Sequence, residues 1–445
     1  MTAIQTLAEA GAALARRPLA ASQTHHAKRA VVDWAAALLP GAVEAPALAL
    51  ERALADDLDH GRARLALGRP ATARAAALIN GTAAHTVEVD DIYREAIYHP
   101  GAPTIAAAWA AAQDVGADGA SLLRAVTVGY ELSTRIGAAL GRAHYRYWHN
   151  TGTVGAFGAA AAAAALYGLD SVRFGHALAT AATFAAGLQQ AFRMDSMSKP
   201  LHAGRAAEGG LLAAQLAREG ATGSADVLDG EAGLGRAMSN GPDWPAALAT
   251  LGQVFHIEAM TFKNHACCGH TFAAIDGALA LQQRMGISAD DVARVQVATY
   301  RPALDVAGNP RPLTAAEARF SLPYVVATGL RFGSVRLAAF SAERLQDVQT
   351  RDLMARIELT VDAELDAAFP GRRAARVSIT THDGRQDSFL QPTRKGDPEL
   401  PLSDADLDDK FMELTVPVVG DTKARRLLSG LWCLDSAPSL DLFGS

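Results

Sequence analysis

Apolar residues three and four positions apart run through HHAKRAVVDWAAALL (25–39) and DGASLLRAVTVGYELSTRIGAAL (118–140). That spacing puts them on one face of an α-helix, so the chain from its start to about Leu140 is predicted to be helical. The most apolar run, Thr153 to Gly168, is nearly all Ala and Gly and shorter than the ~20 residues that a bilayer span requires. It reads as a buried helix in close contact with its neighbours. RMDSMSKPLHAGRAAEGGLLAAQLAREGATG (193–223) then leads into another apolar helix, and ATGSADVLDGEAGLGRAM (221–238) reads as turns before a return to helix.

The pattern changes near Lys263. VARVQVATY (292–300) and RIELTV (356–361) alternate as strands do, and RVSITT (376–381) and RQDSFL (385–390), separated by His382-Asp383-Gly384, read as a hairpin. A helix is predicted through AEARFSLPYVVATGLRFG (316–333). Residues from about 270 to 400 therefore read as a smaller α+β domain. After Asp397-Pro398 the helical pattern resumes in LSDADLDDKFMELTVPVV and DTKARRLLSGLWCL. A chain of 445 residues is too long for one hydrophobic core, so more than one domain is expected.

Composition narrows the function classes. Aromatics are only 6 % of the residues, which suits helices packed through small side chains better than a β-sandwich. A net charge of −6 offers no basic excess for a phosphate backbone, so nucleic acid is not an expected partner, and neither is a membrane. Cys267, Cys268 and Cys433 imply no disulfide framework, because adjacent cysteines seldom bridge. The N-terminus lacks the cationic start, apolar core and cleavage site of a secretory signal, and a cytoplasmic location is expected.

Candidate chemistry gathers at four places. Lys199, His202 and Arg205, with Arg193 just upstream, crowd cations among small residues that would let a ligand or another backbone approach. Solvated surface charges beside a loosened helix start would look the same. NGTAAHTVEVDD places the acidic cluster Glu88, Asp90 and Asp91 after His85, and His99-Pro100-Gly101 follows. Proline disfavours helix for the residue before it, so His99 is predicted on an extended or turning segment ahead of a helix. In Trp148-His149-Asn150-Thr151, Asn or Thr could cap the Ala-rich helix, with His149 at its N-terminus.

The fourth place is KNHACCGHT (263–271). Its His265, Cys267, Cys268 and His270 are possible zinc ligands, but a vicinal pair does not easily place both thiolates on one tetrahedral ion, and no second cysteine pair exists. Cys268 near His270 and Lys263 could serve as a nucleophile; a small half-buried side chain in a tight turn is the simpler reading. With no GxGxxG after a strand and no GxxxxGK[ST], no nucleotide cofactor is expected. Side chains of this kind suit proton abstraction next to a carboxylate, with cations to hold the substrate.

NGTAAHTVEVDD followed by HPG, WHNTGTVGAFGAAAAAA, SKPLHAGRAAEGGLLAAQLAREGATG, KNHACCGHTFAAIDGAL and ARFSLPYVVA together resemble the MmgE/PrpD family, which includes 2-methylcitrate dehydratases, cis-aconitate decarboxylases and iminodisuccinate epimerase. The resemblance implies a mainly α fold. A large all-helical domain (1–265 plus 401–445) would carry an inserted α+β lid domain (266–400), with the active site in the cleft between them. It also implies a homodimer acting on a small polycarboxylate with neither metal nor organic cofactor.

Residue by residue, the resemblance makes His99, His149 and Lys199 the catalytic candidates. Glu88, Asp91, Arg193, His202, Arg205, Lys263, Cys268 and His270 are the substrate-binding candidates. Three departures point away from cis-aconitate decarboxylase: Glu88 stands where those enzymes have aspartate, Ile92 where they have threonine, and Cys268 where they have histidine. HPGAP (99–103) stands in place of the HPSDN of 2-methylcitrate dehydratases. A hydro-lyase of that general kind is the leading expectation and an iminodisuccinate-type epimerase the alternative.

Overall fold

A computed structural model describes residues 1–192, 196–369 and 371–444. The chain forms two compact units, Met1–Thr261 with Ser403–Ser445, and Phe262–Leu402. The breaks fall at 261/262 and 402/403, a few residues from the sequence division at 265/266 and 400/401.

The first unit is dominated by helices, among them Ala21–Gly41, Ala73–Ala84, Gly101–Val115, Gly119–Tyr145, Asn150–Leu166 and Ser198–Arg218. Their starts follow local chemistry. Thr72 accepts from Ala75 N, and Asp118 accepts from Ser121 N, each satisfying a backbone donor left over in the first turn. The Ala-rich helix buries every residue from Asn150 to Ala164, as its apolar run implies. Close approach explains its glycines: a Cβ on Gly158 would collide with the Thr104 hydroxyl. Trp34 stacks on Trp109 at 5.7 Å, both fully buried.

The fold is mainly α as expected, and this unit also carries one short strand pair that the helical pattern did not announce. Leu58–Arg64 (β1) pairs antiparallel with Pro70–Ala71 (β2). The register shifts between Leu58 and Ala63, and Asp59 and Gly61 take positive φ there, so the segment never shows the apolar alternation that announces a strand.

In the second unit Val292–Thr299 (β3), Ile357–Val361 (β4), Ala375–Thr381 (β5) and Gln386–Gln391 (β6) form one sheet in the order β4-β3-β5-β6. β3 runs parallel to β4 and antiparallel to β5, and β5–β6 is the hairpin read from the sequence. The helix Phe272–Met285 lies against β5, where a Cβ on Gly277 would meet Val377 at 3.0 Å. The single helix predicted over 316–333 is two, Ala315–Ala318 and Leu322–Phe332. Ser321 accepts from Tyr324 N as a cap, and Pro323 in the first turn cannot extend a preceding helix.

The C-terminal helices Asp404–Val419 and Asp421–Trp432 belong to the first unit. Lys410, buried on the former, reaches Asp33 Oδ1 at 2.5 Å and donates to Val89 O at 2.6 Å. Among the described residues no single helix is long and apolar enough to cross a membrane.

Candidate functional site

In the first unit four segments converge on a group of histidines. The helix Ala73–Ala84 ends at His85, whose ring is fully buried. The loop that follows carries Glu88, Asp90 and Asp91 and closes through paired backbones at Tyr93 and Tyr98, delivering His99 one residue before the Pro100 that leads the helix Gly101–Val115. His149 sits at the N-terminus of the Ala-rich helix, and Lys199 and His202 project from the first turns of Ser198–Arg218.

Asp90 organises the inner layer. Its Oδ2 lies 2.6 Å from His85 Nδ1 and 3.2 Å from His99 Nδ1. Burial alone would raise this carboxyl, yet the two imidazoles beside it prevail and hold it well below the usual range. The His85 ring meets His99 edge-on at 4.9 Å and stacks on His149 at 5.4 Å.

The outer layer begins at His149, whose Nδ1 is 3.0 Å from His202 Nδ1. Burial, reinforced by the neighbouring cations, drives His149 well below 6.5 and His202 down to about 4, so both rings are neutral near pH 7. Phe192 meets His149 edge-on at 4.8 Å, and its face lies 5.1 Å from Lys199 Nζ. Lys199 pairs with Glu88, which is held in the left-handed backbone region at φ 63°.

His85, Asp90 and His99 could in principle hold a metal ion, since one ligand atom from each falls within a 4.8 Å span. The 2.6 Å contact from Nδ1 to Oδ2 argues for a hydrogen bond instead. Two ligands each ~2.0–2.1 Å from a tetrahedral ion stand about 3.3 Å apart.

Of the expected site residues, the fold therefore gathers His99, His149, Lys199, His202 and Glu88. Asp91 sits apart: its oxygens accept from Gly101 N at 3.0 Å and the Tyr130 hydroxyl at 2.8 Å, which pins it beneath the loop. Arg205 is turned onto Glu208 and the Phe184 ring, and neither contact belongs to the histidine group. Arg193 lies outside the described residues. The small residues around Arg205 admit another backbone, not a ligand, because a Cβ on Gly204 would collide with Thr82 and Leu78 O.

Nor does Asn150 or Thr151 cap the Ala-rich helix: the Asn150 amide donates to Ala96 O, and Thr151 Oγ1 accepts from His99 N. His85 and Asp90, noted in the acidic segment, were given no role from the sequence. Their signal was present in the spacing, since a helix-ending histidine followed by a loop carboxylate and a second histidine is what a shared hydrogen bond needs.

In the second unit Lys263 is buried, and His270 Nδ1 lies 2.9 Å from the Tyr300 hydroxyl, with burial and the Arg373 charge driving the ring down to about 4. Burial pushes the Cys268 thiol up, which disfavours the nucleophile reading. The four possible zinc ligands do not converge either. His265 bonds Asp276 at 3.0 Å, Cys267 lies 3.2 Å from Thr271 Oγ1, and His270 turns to Tyr300.

Comparison with known proteins agrees with these landmarks. Human cis-aconitate decarboxylase is 31 % identical over 352 residues, covering 76 % of this chain and 71 % of that protein. A cis-aconitate decarboxylase-like protein of Aspergillus oryzae is 29 % identical over 390 residues, 82 % of this chain and 80 % of its own, and the mouse cis-aconitate decarboxylase is 29 % identical over 353, 76 % and 70 %. Residues 5–247 match the MmgE/PrpD N-terminal domain and residues 265–436 the C-terminal domain, so the histidine group lies on the N-terminal half of a two-part pattern that spans most of the sequence, and the chain belongs to the MmgE/PrpD family.

Proposed function

We propose that the chain is a cofactor-independent lyase that removes a proton α to a carboxylate of a small di- or tricarboxylate, with loss of water completing the reaction. The observation that carries this reading is the joining of His149, neutral by burial, to Lys199 through Phe192 and to His99 through the His85 ring. Such a set supplies a neutral base and a cation within one group of side chains. An imidazole takes the α-proton, the C–H electron pair becomes the new double bond, and the β-hydroxyl leaves with a proton from the Lys199 ammonium. The same ammonium balances charge that develops on the carboxylate as the C–H bond breaks. Family membership supports a homodimer.

Decarboxylation is the second reading, favoured by the names of the relatives. There the bond to a departing carboxylate supplies the electron pair, and the acid returns a proton to carbon. Glu88, Ile92 and Cys268 weigh against it. Inversion at the same carbon of an iminodisuccinate-like substrate needs only the first step followed by reprotonation on the opposite face.

Incubating the protein in D₂O with a panel of hydroxy, amino and unsaturated polycarboxylates, followed by NMR, separates these outcomes. Loss of water supports the leading reading, release of CO₂ the second, and deuterium in an inverted substrate the epimerase. Lys199→Ala with unchanged turnover would remove the lysine's assigned role. Ligand-induced thermal stabilisation without turnover of any acid would mark a binding protein instead.

A further inference from the structure

Asp90 is buried with one oxygen, Oδ2, turned to two imidazoles, and its Oδ1 has no hydrogen-bond partner among the described residues. The same holds for His85 Nε2, on the far side of a ring with no exposure, and the 3.2 Å approach of His99 Nδ1 to Oδ2 is a close ionic contact without hydrogen-bond geometry. Polar atoms buried in this way are costly unless the arrangement they belong to needs them. His85 itself lies beneath the group, its ring packed on His99 and His149, and has no part in the proton transfers proposed above.

A carboxylate acceptor fixes the hydrogens on its partners. Because Oδ2 can only accept, a hydrogen bond to it requires the proton on Nδ1, and a ring so held presents Nε2 as its other nitrogen. One carboxylate also balances one positive charge, not two. The shorter contact, to His85, engages the carboxylate more strongly and leaves less of its charge to act on His99.

We propose that His85 and Asp90 are positioning residues for His99: the Asp90 carboxylate holds the Nδ1 hydrogen of His85 and favours a hydrogen on the nearby Nδ1 of His99, and His85 occupies the carboxylate so that His99 offers an unprotonated Nε2 as the base. This chooses His99 as the imidazole that takes the α-proton in the function proposed above, and rests on that function. The other groups facing the trio are His149 at the next helix, Lys199 and His202 from Ser198–Arg218, Glu88 and Asp91 on the same loop, and Asp33 below. Lys199, paired with Glu88, disfavours a second charge on His99, and Asp33 is balanced by Lys410, which also reaches the backbone at Val89 beside Asp90. All of these remain in place in the variants that follow.

The test needs no substrate, so it stands apart from the test of function. Protein labelled with ¹⁵N at histidine is titrated by long-range ¹H–¹⁵N NMR, with the His99 signals assigned by their loss in His99→Gln. In the unaltered protein His99 is expected as the Nδ1–H tautomer near pH 7, and finding the Nε2–H tautomer overturns the proposal. His85→Gln removes the competing imidazole and is expected to raise the His99 midpoint by about one pH unit or more, whereas Asp90→Asn is expected to lower it by a similar amount. A purely structural role predicts lost thermal stability with neither opposite shift, and that result also overturns the proposal. Where a variant fails to fold by circular dichroism, the tautomer in the unaltered protein decides.

Discussion

His149 and His202 meet nitrogen to nitrogen, their Nδ1 atoms 3.0 Å apart on the ends of two different helices. Such a contact holds a single hydrogen, so one ring donates and the other accepts, and each fixes the tautomer of its partner. Burial keeps both rings uncharged near neutrality, so the arrangement persists through that range. His202→Phe should therefore cost turnover by about tenfold or more, yet less than the ~10²–10⁴-fold expected when a group that moves the proton is removed, as in His99→Ala. Steady-state kinetics on the substrate found in the NMR panel check this, with KM little altered. A His202 variant turning over at the unaltered rate would show the contact to be idle.

The pair of Glu88 and Lys199 joins a strained backbone to a functional cation. A side chain in the left-handed region costs roughly 1–2 kcal/mol where glycine costs almost nothing. Glu88→Gly should accordingly be more stable than Glu88→Ala by about 1 kcal/mol in urea unfolding, although both lose the same carboxylate. Turnover should fall in both to a similar extent, because Lys199 loses its partner in each. Equal stability of the two variants would mean that the loop relaxes and the strain is absent.

The sequence made much of this architecture legible. From Val295 onward β3 alternates buried and half-buried residues as a one-sided strand must, and the Ala-rich helix announced its burial by composition. His99, His149 and Lys199 stood out because the segments that carry them resemble those of the MmgE/PrpD family. What escaped was what depends on contact rather than pattern. Of the three neighbouring acids, Asp90 reaches the histidines while Asp91 turns down to Tyr130, and adjacent positions carry no signal for that difference. β1 was missed because a bulged strand loses its period, and the break at Ser321 because the apolar spacing continues across it.

Asp91 should report its burial through pH. Burial raises its carboxyl well above the usual range, with the Asp33 charge adding to the effect and the Tyr130 hydroxyl opposing it. A carboxyl whose folded value is raised stabilises the fold fully below the unfolded value, near 3.8, and loses that contribution as pH rises through the folded value. Asn cannot ionise and escapes this loss. Asp91→Asn should thus gain stability relative to the unaltered protein as pH rises from about 4 toward neutrality. Thermal unfolding at several pH values tests this, and a difference that stays flat or shrinks with pH would contradict the assignment.

Lys410 ties the C-terminal helix Asp404–Val419 to the base of the candidate site. Its ammonium is buried against Asp33 and donates to Val89 O, in the residue just before Asp90. Removing one partner of a buried ion pair leaves an uncompensated charge, typically at a cost of about 3–5 kcal/mol, whereas replacing both with apolar groups of similar size is often neutral. Lys410→Met should therefore be strongly destabilising, and the double change Lys410→Met with Asp33→Leu should recover much of the loss. The carbonyl of Val89 stays orphaned in both, so turnover should remain low in the double variant even after stability returns, because the loop that sets Asp90 against His85 and His99 has lost its tether. Chemical denaturation and kinetics measured side by side separate the two effects. Recovery of stability and turnover together would show that Lys410 supports the fold without positioning the loop.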